Sequence, residues 1–170
     1  MTFTELAQEV LYRCGEGYQD YLARCKEHLL KNIDDIINTG VMSERDYYGL
    51  ILSFNDGYSN PYPINDLLDG QYQMLKLLTV YVGSDKIDEL SVNEKNVTSK
   101  LGTLFGKGYF YREGALTFLG ISSASTISIE IIKRYTEPSP ETDLRDTFTM
   151  KFTDALIDLT VQTLYKEINS

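Results

Sequence analysis

The sequence predicts an α+β fold, a helical bundle with a small antiparallel β-meander or hairpin insertion. Residues 3–38 and 147–168 carry apolar side chains at helical spacing, which predicts helices at both ends of the chain. Residues 109–135 instead alternate apolar and polar side chains around a two-residue turn signal, which predicts a small sheet between the helices.

The length of 170 residues suits a single domain with its own core. We expect this domain to be helical at 1–40 and 147–168, and irregular or β-containing at 41–146. The sequence shows no internal repeat that would divide it further.

The N-terminal helices have recognisable start and stop signals. Thr2 and Glu5 form a capping-box pattern, so a first helix is predicted at 3–13. A second is predicted at 20–38, with Gly40 just beyond its end. Its apolar residues recur every three or four positions, and three of them are expected in the core: Leu22, Leu29 and Ile36.

The segment after the second helix leaves alternatives open. Ser43 and Asp46 can begin a short helix, whereas 47–54 also fits a strand. Residues 66–75 are predicted as either a loop or a helical turn.

Three later segments have simpler predictions. The apolar and β-branched residues at 77–82 predict a strand, and the spacing at 92–104 predicts a short helix. Glu113 and Gly114 form the predicted hairpin turn, and 126–135 is predicted as the third strand of the meander.

The final helix, which Asp146 and Thr147 are predicted to cap, has two apolar stripes on opposite sides. The first stripe consists of Phe148, Phe152, Ala155, Leu156 and Leu159. The second consists of Met150, Ile157, Val161, Leu164 and Ile168. Such a helix is either central in its own fold or shared with a neighbouring subunit, and this feature alone leaves both readings open.

We expect the two stripes to have different roles. Phe152, Leu156 and Leu159 should pack the core of the subunit. The residues expected to contact a neighbouring subunit are Val161, Leu164 and Ile168. Substituting aspartate for Val161 and Leu164 is therefore expected to spare folding and to block assembly, whereas unfolding would show that the stripe is core.

The composition excludes some functional classes. Lys and Arg total 16 against 25 Asp and Glu, a net charge of -9, which argues against a protein that grips DNA or an anionic membrane. No apolar run approaches membrane-spanning length, and there is no signal peptide pattern. Cys14 and Cys25 are predicted to be buried free thiols in a reducing compartment.

Catalytic and metal-binding patterns are weak. His28, the only histidine, lies one helical turn from Cys25, but both side chains should face an adjoining helix rather than a cleft. Asp154 and Asp158 share a helical face, yet further ligands are not nearby in sequence, so a solvated face is favoured. We therefore predict no enzyme activity, no metal and no cofactor, with catalysis by these groups as the weakest alternative.

The hairpin region also has a weak nucleic-acid pattern. Lys107 and Arg112 flank the aromatic residues 109–111, which could stack on single-stranded nucleic acid. Alternating aromatic residues in a hairpin are more often sheet packing.

The order of these elements resembles the head-to-tail adaptor proteins of tailed bacteriophages, especially the neck ring proteins of short-tailed phages. The resemblance lies in the Thr2-x-x-Glu5-Leu opening, the hairpin YREGALTF at 111–118, the strand at 127–135 with its Pro-bearing linker, and the closing helix FTDALI at 152–157. It covers nearly the whole chain as an arrangement of elements.

The resemblance implies a structural virion protein, made in the cytoplasm of the host bacterium. Twelve copies would form a ring between the portal protein and the next tail or ring protein, and the ring would continue the DNA channel with only passive contact to the genome. The portal contact would come from the end of the final helix, around Tyr165, or from an internal loop. The hairpin would project toward the next tail component through Tyr109, Tyr111 and Phe118.

Two other classes remain as alternatives. One is another tail-completion protein that forms no ring. The other is a soluble protein-binding module, which predicts a monomer at all concentrations.

Overall fold

The computed structural model describes residues 1–15, 19–68, 70–90, 107–121, 124 and 126–170. Helices and antiparallel strands are both present, which confirms the α+β class. Contacts concentrate within two compact units. The helical unit comprises Met1–Ile51 and Arg134–Ser170, and the sheet unit comprises Leu52–Lys133. The single-domain assignment stays a prediction.

The described elements follow the chain in a simple order. The α-helices are α1 (Phe3–Cys14), α2 (Leu22–Thr39), α3 (Ile64–Leu67) and α4 (Met150–Ile168). The strands are β1 (Ile51–Gly57), β2 (Met74–Val82), β3 (Asp85–Lys86), β4 (Gly108–Arg112), β5 (Ala115–Leu119) and β6 (Thr126–Lys133). Short 3-10 helices lie at Gln19–Tyr21, Glu44–Leu50 and Leu144–Asp146.

The first two helices begin and end close to the predicted positions. The capping box of α1 is formed, because the Thr2 hydroxyl accepts from the Glu5 N–H at 3.2 Å and the Glu5 carboxylate accepts from the Thr2 N–H at 2.7 Å. Gly40 follows α2 with φ of 67°, a left-handed conformation that favours glycine. Local sequence is thus sufficient to set these helix ends.

An aromatic cluster forms part of the core of the helical unit. The Phe148 and Phe152 rings stack with centroids 4.6 Å apart, and Tyr47 meets Phe152 edge-on at 5.9 Å. Tyr135 bridges Phe148 and Phe3 at 5.1 and 5.8 Å. Rings at these separations add aromatic contact energy to the burial of their area.

The start of α4 differs from the prediction. Thr149, and not Asp146 or Thr147, is the N-cap, and its hydroxyl accepts from the Phe152 N–H at 3.3 Å. The same hydroxyl donates to the buried Asp46 carboxylate at 2.9 Å. The position of the cap therefore depends on Asp46, which is far away in sequence, so the residues around the helix start could not predict it.

The sheet unit contains a four-stranded sheet in the order β1-β6-β2-β3. Leu77, Val80 and Val82 of β2 lie opposite Ile131, Ile129 and Ile127 of the antiparallel β6. The alternation of side chains along β6 buries Ile127, Ile129 and Ile131 and leaves Glu130 exposed. These isoleucines join the core of the sheet unit.

The predicted meander is wrong in its pairing. β4 and β5 form their own two-stranded sheet, and β6 pairs with β2 and β1 instead of continuing from β5. The strand at 77–82 is confirmed within β2, but its pairing with β6 was not predicted. Because β2 and β6 are distant in sequence, local turn signals carry no information about that pairing.

The turn of the β4–β5 hairpin is confirmed. Glu113 and Gly114 both have positive φ, 51° and 83°, as a type I′ turn requires. A Cβ atom on Gly114 would lie 2.3 Å from the Asn65 side chain, so this position also needs glycine for space.

In the segment 43–75, each of the alternative predictions is correct for part of the residues. A 3-10 helix at Glu44–Leu50 is followed directly by β1, so the helical and strand readings each hold for part of 43–57. The segment from residue 66 contains the end of α3 and then a turn before β2. The helix predicted at 92–104 lies outside the described residues.

The cap of α4 gives a first testable prediction. Thr149→Ala should lower the free energy of unfolding by about 1 to 2 kcal/mol, because it removes both the cap acceptor and the donor to Asp46. Chemical denaturation of the full chain measures the change. Thr147→Ala is the matched control, and a larger loss for this control than for Thr149→Ala would contradict the assignment of the cap.

Candidate interaction surfaces

The C-terminal helix α4 packs against both α1 and α2, which also pack against each other. Its buried residues are Phe152, Leu156, Ile157, Thr160 and Leu164. At about 100° per residue they span an arc of roughly 140° that takes members from both predicted stripes. Much of the doubled apolar pattern is therefore explained by packing within one copy.

Burial divides the residues that were predicted to contact a neighbouring subunit. Leu164 is 0% exposed and belongs to the core, so it is not a surface contact residue, and we expect an aspartate there to unfold the chain rather than to spare folding. Val161 and Ile168 are half-buried, and Tyr165 is 54% exposed. Together with Met150, which is 75% exposed, these three form one flank of α4, here called the outer flank.

A groove of about 390 Å³ lies between α1 and the side of α4 that carries the outer flank. Its apolar lining comes from Leu144, Met150 and Ile157, and Arg13 and Asp154 are among its polar residues. Arg13 also pairs with Asp158 at 3.3 Å and with Glu9 at 2.8 Å. Charged pairs thus stand beside an apolar surface, an arrangement common at protein interfaces.

A second groove, of about 720 Å³, lies between α2 and α4. Its apolar residues are Ile36, Leu159 and Val41, and Val41 is 76% exposed. The α4 residues of the two grooves are roughly opposite each other around the helix axis. Each side of α4 therefore offers an apolar groove, and the two grooves share none of their lining residues.

The hydrogen bond beneath the α2–α4 groove ties the two helices together. The side-chain amide of Asn32 donates to the Thr160 hydroxyl at 3.0 Å, and that hydroxyl donates to the Leu156 carbonyl at 2.7 Å. Both residues are buried, so the pair satisfies polar groups that would otherwise destabilise the core. This buried polar contact was not identified from the sequence.

The hairpin offers less surface than the sequence suggested. Tyr109 and Phe118 are 7% and 2% exposed, so they are core residues and not distal contact residues. They lie opposite each other in the β4–β5 register, and Tyr62 pairs with Leu116 on the other side of β5. Burial raises the pKa of the Tyr109 phenol to about 12, with Glu89 as the next cause.

Tyr111 is the one of the three proposed distal residues that is exposed, at 41%. Its hydroxyl donates to the Asn65 side chain at 3.3 Å. This hydrogen bond orients the ring without burying it.

The conceivable thiol–imidazole pair is not formed. The Cys25 thiol is fully buried and contacts the Ala7 carbonyl at 3.5 Å, and burial raises its pKa to about 12. The His28 ring instead hydrogen-bonds the Glu167 carboxylate. A protonated buried thiol without a base is a poor nucleophile.

The aspartates on α4 are ordinary surface groups. Asp158 is exposed and pairs with Arg13, and Asp154 is also exposed. Asp143 caps the 3-10 helix at Leu144–Asp146 and pairs with Arg145. Within the part of the chain that the structure describes, acidic, histidine and cysteine side chains form no group of three that could hold a metal ion.

The cations beside the hairpin are neutralised by acidic partners. Lys107 pairs with Asp85, and Arg112 pairs with Glu113 at 3.2 Å. Each of these two cations therefore has an acidic partner, which offsets the positive charge that would hold nucleic acid. No helix in the described ranges is both long and apolar enough to cross a bilayer.

Two apolar surface residues were not predicted from the sequence, Tyr12 and Val41, and both are 76% exposed. Tyr12 follows the helical pattern of α1 at a position outside its apolar stripe. Val41 stands beyond Gly40 at the end of α2. The only sequence signal at these positions is an isolated apolar residue outside an apolar stripe. Such residues are common on protein surfaces, so this signal cannot distinguish a contact residue from an ordinary surface residue.

Comparison with protein-family models and with curated proteins finds no match to this chain.

Burial along α4 leads to a prediction that separates core from surface. Leu164→Asp should unfold the protein or cost more than about 4 kcal/mol, because it places an unpaired charge in the core. Val161→Asp, three residues away on the same helix, should cost less than about 1.5 kcal/mol because its side chain reaches solvent. If the two variants lose equal unfolding free energy in urea, the buried arc of α4 is assigned wrongly.

The ion pairs of Glu167 lead to a prediction about pH. The hydrogen bond from Arg24, and after it that from His28, lowers the pKa of Glu167 below its ordinary 4.5. Its charge therefore stabilises the fold above about pH 4.5, and this contribution is lost as the pH falls through the lowered value.

Wild type should consequently lose more stability than Glu167→Gln between about pH 5 and about pH 3. The free energy of unfolding, measured across this range, makes the comparison. Glu141→Gln, at an exposed glutamate without an ion pair among the described residues, should follow wild type. Parallel curves for wild type and Glu167→Gln would exclude the stabilising role of the Glu167 charge.

Proposed function

We propose that this chain is a structural subunit of a bacteriophage neck, one of twelve identical copies in a ring between the portal and the tail. The observation that carries the proposal is the pair of apolar grooves on the two sides of α4, which share none of their lining residues. The resemblance of the sequence to head-to-tail adaptor proteins supplies the biological setting.

The symmetry of a ring requires this kind of subunit. In a ring, each copy uses one surface toward the preceding copy and a different surface toward the next. Met150 of the outer flank lines the α1–α4 groove, whereas Val41 lines the α2–α4 groove. In the proposed ring, the outer flank of one copy packs toward the α2–α4 groove of its neighbour.

The charge of the chain is compatible with a DNA channel. A net charge of -9 does not attract phosphate, and two cations near the hairpin are already paired with acids. DNA that must move past a wall is held less strongly by such a surface than by a basic one. We accordingly propose passive contact with the genome, in a virion protein assembled in the host cytoplasm.

A structural role also accounts for the residues that suggested chemistry. Cys25 packs inside the helical unit, and His28 and Glu167 join the end of α4 to α2. These side chains stabilise the helical unit, so the proposed role requires neither a catalytic nor a cofactor-binding function from them. Contacts with the portal and with the next tail component would then come from other exposed residues, with Tyr165 and Tyr111 as candidates.

The proposal predicts a closed particle that depends on the outer flank. Wild type should form rings with twelve times the 19.4 kDa mass of the chain, as seen by native mass spectrometry and electron microscopy, alone or on a portal. The double variant Val161→Asp, Ile168→Asp should remain folded and should not form rings, because it charges the flank that meets the neighbour.

Gln162→Asp is the matched control, since Gln162 is exposed and lies away from the outer flank. It should form rings like wild type. Rings that survive the double substitution would exclude the outer flank as the contact. A wild-type chain that stays monomeric, both alone and with a portal, would contradict the ring and favour a protein-binding module. Particles of another mass would favour a different tail-completion protein.

A further inference from the structure

The first strand of the sheet unit, β1, is an edge strand. The sheet order β1-β6-β2-β3 leaves one side of β1 outside the sheet. Among the described residues, none makes a backbone hydrogen bond to β1 from that outer side. Backbone N–H and C=O groups on such an unpaired side match one kind of ligand above all, another extended strand.

The sequence of β1 lacks the usual protection of a sheet edge. Natural edges are blocked by lysine, proline, bulges or very short length. The strand Ile51–Gly57 is seven residues long and contains no lysine, arginine or proline. Asp56, its single charged residue, lies near the end, so no charge of β1 itself stands at the centre of the edge.

The two faces of β1 differ in polarity. Leu52 and Phe54 are half-buried and pack against the core of the sheet unit. Ser53 and Asn55 lie on the other face, where Ser53 donates to the Glu130 carboxylate at 3.4 Å and Asn55 accepts from Ser128. A strand that extends this sheet must offer the same alternation.

A second copy of β1 satisfies this requirement. In an antiparallel pair centred on Ser53, Leu52 of each copy lies opposite Phe54 of the other, on the apolar face. Such aliphatic–aromatic pairs stabilise neighbouring strands, and the arrangement places no like charges opposite each other. Facing residues in an antiparallel pair form either a hydrogen-bonded or a non-hydrogen-bonded pair. A two-fold axis at Ser53 is therefore possible whether the backbone groups of Ser53 point toward the second copy or away from it.

We propose that β1 is the edge through which two copies of this chain join their sheets, antiparallel and centred on Ser53. The contact has two-fold symmetry, whereas neighbours within a ring use two different surfaces. It is therefore separate from the contact proposed for α4 and does not rest on the neck function. The joined sheets would have eight strands, with a β1–β1 pair at the centre.

The register can be tested by cross-linking the full chain. Ser53→Cys places two thiols across the two-fold axis and should give a disulfide-linked dimer under mild oxidation. Ser128→Cys is the matched control, because Ser128 lies on the same polar face but on the interior strand β6. It should give no such dimer, since the native Cys14 and Cys25 are buried and no second thiol approaches.

The strength of pairing can be tested by charge. Ser53→Glu should weaken dimer formation by at least about fivefold in sedimentation equilibrium, because it sets two carboxylates opposite each other beside the two Glu130 side chains. Ser128→Glu adds the same charge near Glu130 on β6 and should change the dimer constant by less than about twofold.

Three outcomes would overturn the proposal. These are a wild-type chain that shows no two-fold pairing at any concentration, Ser53→Glu and Ser128→Glu with equal effects, and Ser53→Cys that cross-links no more than Ser128→Cys. Because the ring test uses Val161 and Ile168, failure of either contact leaves the result for the other unchanged.

Discussion

The constraint on which the helical unit depends is that α1 and α2 cover α4 along one arc only. Phe152, Leu156 and Leu164 fill that arc, and the polar pair Asn32 and Thr160 is satisfied within it. The apolar residues on the outer flank lie outside that arc and are half-buried or exposed in one copy. This separation allows a surface contact to form or be lost while the unit stays folded.

The structure explains which features could be predicted from sequence. The α1 capping box and the Glu113-Gly114 turn were predicted correctly because each involves residues no more than three positions apart. The cap of α4 was not, because Thr149 is fixed by Asp46, 103 residues earlier. The β6–β2 pairing was missed for the same reason.

The proposed contact residues were predicted less well than the helix that carries them. Val161 and Leu164 are both aliphatic and differ by about 60° around α4, so hydrophobicity alone cannot tell which one α1 and α2 cover. Tyr109 and Phe118 were predicted to be distal contact residues, but chain segments on both sides of the hairpin bury them. In each case, burial depends on neighbours that are distant in sequence.

The central claim is that the outer flank of α4 is covered by another copy, and the reactivity of Met150 tests it most directly. Its side chain is 75% exposed in one copy, whereas Met74 of the sheet unit is half-buried and lines neither α4 groove, so it can serve as an internal reference. We predict that the rate of Met150 oxidation, relative to Met74, falls at least about fivefold when the chain assembles. An unchanged relative rate in an assembled particle would contradict the account.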